Sequence, residues 1–215
     1  MILQHGTSVA NTENDILNTG LKPRNGKGNW FRETQHPSME NIVYLTNEIH
    51  NSEFYAARTA MISGSDCAII QVDVPEDNLY PDENLFQKNY LYDKDEMKEM
   101  QDKVLENRSM WIESLEKRGM VGHMGIIPKE RILNIRKFKI EDSPFYSYIK
   151  NCKVKNIDAF DRSFQAYMYL CNQGWFQNTK TTPVLHGLDL IKELRIYQKE
   201  KSITIYLQDN AITIE

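Results

Sequence analysis

His5, Gly6, Thr7 and Ser8 are the first residues along the chain whose types can do chemistry: an imidazole, a residue without a side chain, and two hydroxyls in one tract. Tyr44 and Tyr55 follow, eleven positions apart, and bring two aromatic faces. The elements that must position them read strand, turn, helix, loop, strand, helix. Ile2–Gln4 is strand-like and breaks at the polar tract. Ser8 or Asn11 can cap a helix that carries Ile16, Leu17 and Leu21, and Gly20 ends it as a C′ glycine. Residues 25–40 hold two glycines, one proline and no regular period, as a long loop does. Ile42–Leu45 is short, continuous and apolar, as a buried central strand should be. Ser52–Met61 reads as a helix closed by Gly64. The polar tract thus ends one strand, Tyr44 sits on the next, and Tyr55 lies on the helix after it.

Other chemistries find little support. Gly64 and Ser65 make no G-x-S-x-G elbow, and no phosphate-binding P-loop is present. Cys67, Cys152 and Cys171 are odd in number, widely spaced and form no CxxC pair, so neither a zinc ribbon nor a disulfide framework is expected. Asp82 and Glu83 invite a metal reading. Adjacent acids in a turn are usually exposed, so Leu79–Asn84 is read as a turn and no metal is expected.

The front of the chain resembles the ADP-ribosyltransferase fold of the diphtheria toxin and poly-ADP-ribose polymerase type. It is closest to phage and bacterial members that include DNA- or RNA-targeting toxins. His5-Gly6-Thr7 is similar to that family's first-strand tract, Gly20-Leu21-Lys22-Pro23 to the exit from its first helix, and Tyr44 and Tyr55 to its two nicotinamide-holding aromatics. The likeness covers residues 1–85 and, less closely, Gly119–Ile135. It implies a mono-ADP-ribosyltransferase with NAD as substrate and a nucleic-acid or protein acceptor, of toxin, phage-defence or phage-effector type. A regulatory partner such as an antitoxin would fit that role.

Such a transfer breaks an N-glycosidic bond through an oxocarbenium-like ribosyl cation. The nicotinamide nitrogen is already cationic, so no acid need protonate the leaving group. The resemblance implies that Tyr44 and Tyr55 stack on the ring and that Gly6 lets the backbone approach the carboxamide. His5 and Thr7 would bond ribose hydroxyls, with Thr46 and Ser8 assisting. Arg24 would meet the pyrophosphate. The family's negative charge comes from a glutamate at the start of a late strand. The matching segment, Gly119–Met124, puts Met120 there instead. Glu116, four residues earlier, is the catalytic candidate, with Glu113 and Glu130 as others. His123 on the same strand is a second candidate group.

The fold class expected is α/β in the α+β sense: an ADP-ribosyltransferase-like split β-sheet core with helices over residues 1–140, and an aromatic-rich extension over 141–215 packed on it. Cys67–Val74 is the clearest strand, stopped by Pro75. Asp93–Lys117 reads as one charged helix whose Met97, Met100, Val104, Trp111 and Leu115 form an apolar stripe. Ile132–Lys139 is a strand, Ala159–Cys171 and Gly187–Tyr197 are helices, and Ser202–Leu207 with Ala211–Ile214 form a hairpin. With 26 basic and 30 acidic residues the net charge is −4, which excludes the bulk charge of a non-specific nucleic-acid binder. Local clusters at Lys22–Arg32 and Lys129–Lys139 remain. No run of 18 apolar residues and no secretion signal is visible, so a cytoplasmic protein without membrane partners is expected.

Two rivals keep the residues but change the role. One is a module of the same fold that holds NAD or ADP-ribose without cleaving it. The other is an interaction protein whose charged helix and aromatic C-terminal region serve a partner. An RNA 2′-phosphotransferase shares the fold but needs an arginine-rich set that this sequence does not place.

Overall fold

The opening strand does not break at the polar tract. In the computed structural model β1 runs Ile2–Ser8. The structure describes residues 1–23, 39–86, 94–146, 198–203, 205–208 and 211–214. Ser8 then caps the first helical turn by accepting from the Asn11 N–H at 3.2 Å. The helical segment is not uniform: α1 (Val9–Asn11) passes through a π turn (Thr12–Ile16) into α2 (Leu17–Thr19). Such bulges are frequent at functional sites. Gly20 follows at φ 82°. A Cβ there would stand 2.1 Å from the Ile127 carbonyl oxygen, so only glycine allows the Leu21↔Ile127 bridge.

β2 (Ile42–Thr46) is the short apolar strand that the sequence implies. α3 (Ile49–Ser63) begins three residues before Ser52 and ends at Gly64, whose φ of 62° accommodates the left-handed cap. β3 (Cys67–Asp73) pairs with β1 along its whole length, from Ile2↔Asp73 to Ser8↔Cys67. This ladder is why the strand continues: the backbones of His5, Gly6 and Thr7 each have a partner in β3.

Leu79–Pro81 is a strand, β4, rather than part of a turn. The single long helix expected over Asp93–Lys117 is two helices, α4 (Lys94–Glu106) and α5 (Trp111–Arg118), with a tight turn at Arg108–Met110 between them. Asn107 explains the break. Its backbone N–H and its side-chain amide both donate to the Lys103 carbonyl at 2.9 Å, and local side-chain competition of this kind ends helices. β5 (Met120–Met124) and β6 (Ile132–Phe138) complete the sheet.

The order across the sheet is β4-β5-β2-β1-β3-β6, and every pairing is antiparallel. Mixed α/β is therefore the class. The seam between β2 and β1 is unlike the others. It has a single register pair, Gln4↔Thr46, whereas β2 and β5 pair over five positions. Two three-stranded halves are thus joined at one point. Under one face Leu3, Val43, Leu45, Ile70, Val72 and Val121 form the main core. Against β1 lies α3, with Phe54 buried, worth about 2–3 kcal/mol on the usual scale. Gly6 makes this approach possible: a Cβ there would sit 2.0 Å from the Ser52 carbonyl oxygen.

The chain divides into two units, Met1–Ile140 and Glu141–Glu215. In the second, β7 (Ile205–Gln208) and β8 (Ala211–Ile214) form the expected antiparallel hairpin. The helices expected at Ala159–Cys171 and Gly187–Tyr197 lie outside the described residues. Among the described residues no helix is long and apolar enough to cross a membrane.

Candidate functional site

Where β1 and β2 part, a cavity opens between the sheet and α3. His5, Gly6 and Thr7 line it from β1, Tyr44 and Thr46 from β2, and Tyr55 from α3. Six of the residues singled out in the sequence therefore meet at one place.

His5 sits in the parting of the strands, half-buried, with Nδ1 2.9 Å from the Tyr44 carbonyl oxygen. A carbonyl cannot donate, so Nδ1 carries the proton and Nε2 is the acceptor of the neutral ring. Thr7 is buried, and its hydroxyl accepts from the Asn11 amide at 3.3 Å. Thr46 is engaged structurally. Its hydroxyl donates to the Gly119 carbonyl at 2.5 Å and accepts from the Glu48 N–H at 3.0 Å, tying the end of β2 to the start of β5. The room at Gly6 is filled by α3, so what its missing side chain allows first is close helix packing. Its own backbone still borders the cavity.

Tyr55 belongs to a helical stripe. Tyr55, Arg58, Thr59 and Ile62, at spacings of three, four and seven, all line the cavity. The Tyr55 ring stands edge-on to Phe54 at 5.1 Å, which anchors it to the core. Arg58 is only 4% exposed, and Lys22 joins it in the lining from beyond Gly20. The sequence reading passed over Arg58, although its place three residues after Tyr55 is the signal that finds it. Among the described lining residues these two cations are the only charged side chains. Lys22 also pairs with Asp15 at 3.4 Å.

Tyr44 turns its hydroxyl away from that positive lining. Oη donates to both carboxyl oxygens of Glu83, at 2.7 and 2.8 Å, and accepts from the Met39 N–H at 3.2 Å. Contrary to the exposed turn expected, Asp82 and Glu83 are buried. The reason is tertiary: Ser114 of α5 accepts from the Asp82 N–H at 2.9 Å and donates to the Met120 carbonyl at 2.7 Å, pulling this segment under the helix. Burial, and then the charge of Asp82, push the Glu83 carboxyl up to about 8, against the pull of the Tyr44 hydroxyl. Burial also raises Asp82, opposed by its bonds from Asn84 and the charge of Arg118. Tyr44 is raised by burial and by both acids. Among the described residues no three His, Cys, Asp or Glu side chains gather as a metal site.

Glu116 and His123 are not brought to the cavity. Glu116 is exposed on α5. His123 is buried and pairs in register with Val43 and Leu79, on the face of β5 opposite that of Met120, because alternate residues of a strand face opposite ways. Burial lowers its pKa. Met120 does line the cavity. Arg24 lies outside the described residues. No family model matches the chain, and no curated protein matches it.

Proposed function

We propose that the cavity binds NAD by its nicotinamide end, on a core of ADP-ribosyltransferase type, and that the protein transfers ADP-ribose to a nucleic-acid or protein acceptor as a toxin or in phage defence. The observation that carries this reading is the convergence of His5, Tyr44 and Tyr55 from three elements on one cavity at the parting of the sheet. The residues fit such a ligand. Two phenol rings can take a flat aromatic ring, and His5 Nε2 can accept from a ribose hydroxyl. Arg58 and Lys22 match a pyrophosphate in charge, the role the sequence reading gave to Arg24.

A second reading has an observation of its own. Met120 stands where the family has its glutamate, and no carboxylate lines the cavity among the described residues. A site without negative charge near the ribose does little for a developing oxocarbenium ion. On that reading the protein holds NAD or ADP-ribose without cleaving it.

Labelled NAD incubated with total RNA, DNA and protein separates the two. Transfer predicts label in one acceptor fraction and release of nicotinamide, both lost in His5→Ala. Binding alone predicts saturable retention of NAD and no release. Failure of NAD to bind would overturn both.

A further inference from the structure

We propose that Glu83 is a specificity-determining residue that acts through Tyr44, setting the preference of the cavity for a cationic pyridinium ring over its neutral, reduced form. This rests on the NAD reading of the cavity and adds the source of its selectivity.

The hydrogen-bond chain has one direction. Tyr44 Oη accepts from the Met39 N–H and donates its proton to Glu83, both of whose carboxyl oxygens lie within 2.8 Å of Oη. That two-oxygen geometry suits an ionised carboxylate. A carboxylate accepting from a phenol makes the ring richer in electrons, and an electron-rich face attracts a cation. NAD presents a pyridinium; NADH presents a neutral dihydropyridine of the same outline. Negative charge behind Tyr44 favours the pyridinium where the ring binds.

Among the described residues, Tyr44 bonds Glu83 directly. Asp82 adjoins it in the chain and Arg118 of α5 faces Asp82. Tyr44 comes from β2 and is the side chain that lowers the Glu83 carboxyl against burial and Asp82. From α4 the buried described side chains are Met97, Met100 and Val104, all uncharged. The Glu83 carboxyl, held near 8, gains its charge in mildly alkaline solution. The same charge favours the bound pyridinium over a transition state in which positive charge has moved to the ribose. Glu83 therefore serves selection of the ligand and does not replace the missing glutamate in catalysis.

The test measures binding of NAD and NADH by calorimetry between pH 6.5 and 9 in the wild type, Glu83→Gln and Tyr44→Phe. Glutamine keeps the shape and a hydrogen bond to the phenol but never ionises. Wild type is expected to gain roughly fivefold in its preference for NAD as pH rises through 8. Glu83→Gln and Tyr44→Phe should hold the low-pH ratio throughout, with NADH affinity little changed. An unaltered ratio and pH profile in Glu83→Gln would overturn the proposal. So would equal weakening of both nucleotides, which marks a merely structural role. If neither nucleotide bound the wild type, the NAD reading itself would fall, an outcome distinct from both.

Discussion

The two sides of Tyr44 differ in sign. On one side the cavity is open and its charged lining is cationic, Arg58 and Lys22. On the other, Asp82 and Glu83 are closed into the protein under α5. A fold that buries two adjacent acids puts charge where water cannot screen it, and such groups raise their pKa values instead of ionising freely. On the proposed reading the positive side meets the pyrophosphate. Among the described residues the Tyr44 hydroxyl links the negative side to the cavity. On the proposed NAD reading, phosphate and ring would be recognised by different walls.

The sharpest way to break this contrast is to spoil one wall. Gly6→Ala would place a methyl group against the Ser52 backbone and drive α3 from β1. The expected loss is about 3 kcal/mol or more in chemical denaturation, since neither backbone can yield cheaply.

Next in size is the cationic wall. Arg58→Gln should lower affinity for NAD and ADP-ribose about tenfold, as loss of a charge-assisted pair does. Nicotinamide riboside, which lacks the pyrophosphate, should bind almost as before. Titration of all three ligands checks this.

The acidic wall should appear in the pH dependence of stability. The folded chain keeps a proton on Glu83 up to about pH 8, while the unfolded chain releases it near the ordinary 4.5. Below 4.5 both states are protonated and this group costs nothing. Between 4.5 and 8 its contribution falls as pH rises, and Asp82 adds in the same direction. Glu83→Gln should therefore gain Tm relative to wild type on going from pH 5 to pH 8.5, by a few degrees in calorimetry.

The smallest effect is expected at Glu116. It is exposed and outside the cavity. Glu116→Ala should change stability by no more than about 0.5 kcal/mol and leave nicotinamide release as it was.

Much of the sheet was legible because its signals are local. The apolar run Ile42–Leu45, the Cys67–Asp73 strand and the glycine stops at Gly20 and Gly64 each sit within a few residues of what they determine. Among the cavity residues Tyr55 stood out through the resemblance, and Arg58 follows from the helical period three residues on. What escaped depends on distant partners. The continuation of β1 through His5–Ser8 is dictated by β3, some sixty residues away. Burial of Asp82 and Glu83 needs Ser114 from another helix. The split of α4 from α5 turns on how the Asn107 amide is directed, which an apolar stripe does not encode.

The central claim is that the nicotinamide end of NAD enters beside Tyr44 and Tyr55. Saturation-transfer NMR reads which protons of the ligand touch the protein. The account predicts strongest transfer to the nicotinamide protons, weaker transfer to adenine, and loss of the nicotinamide signal in Tyr55→Ala. Transfer led by adenine, or a nicotinamide signal indifferent to Tyr55, would contradict it.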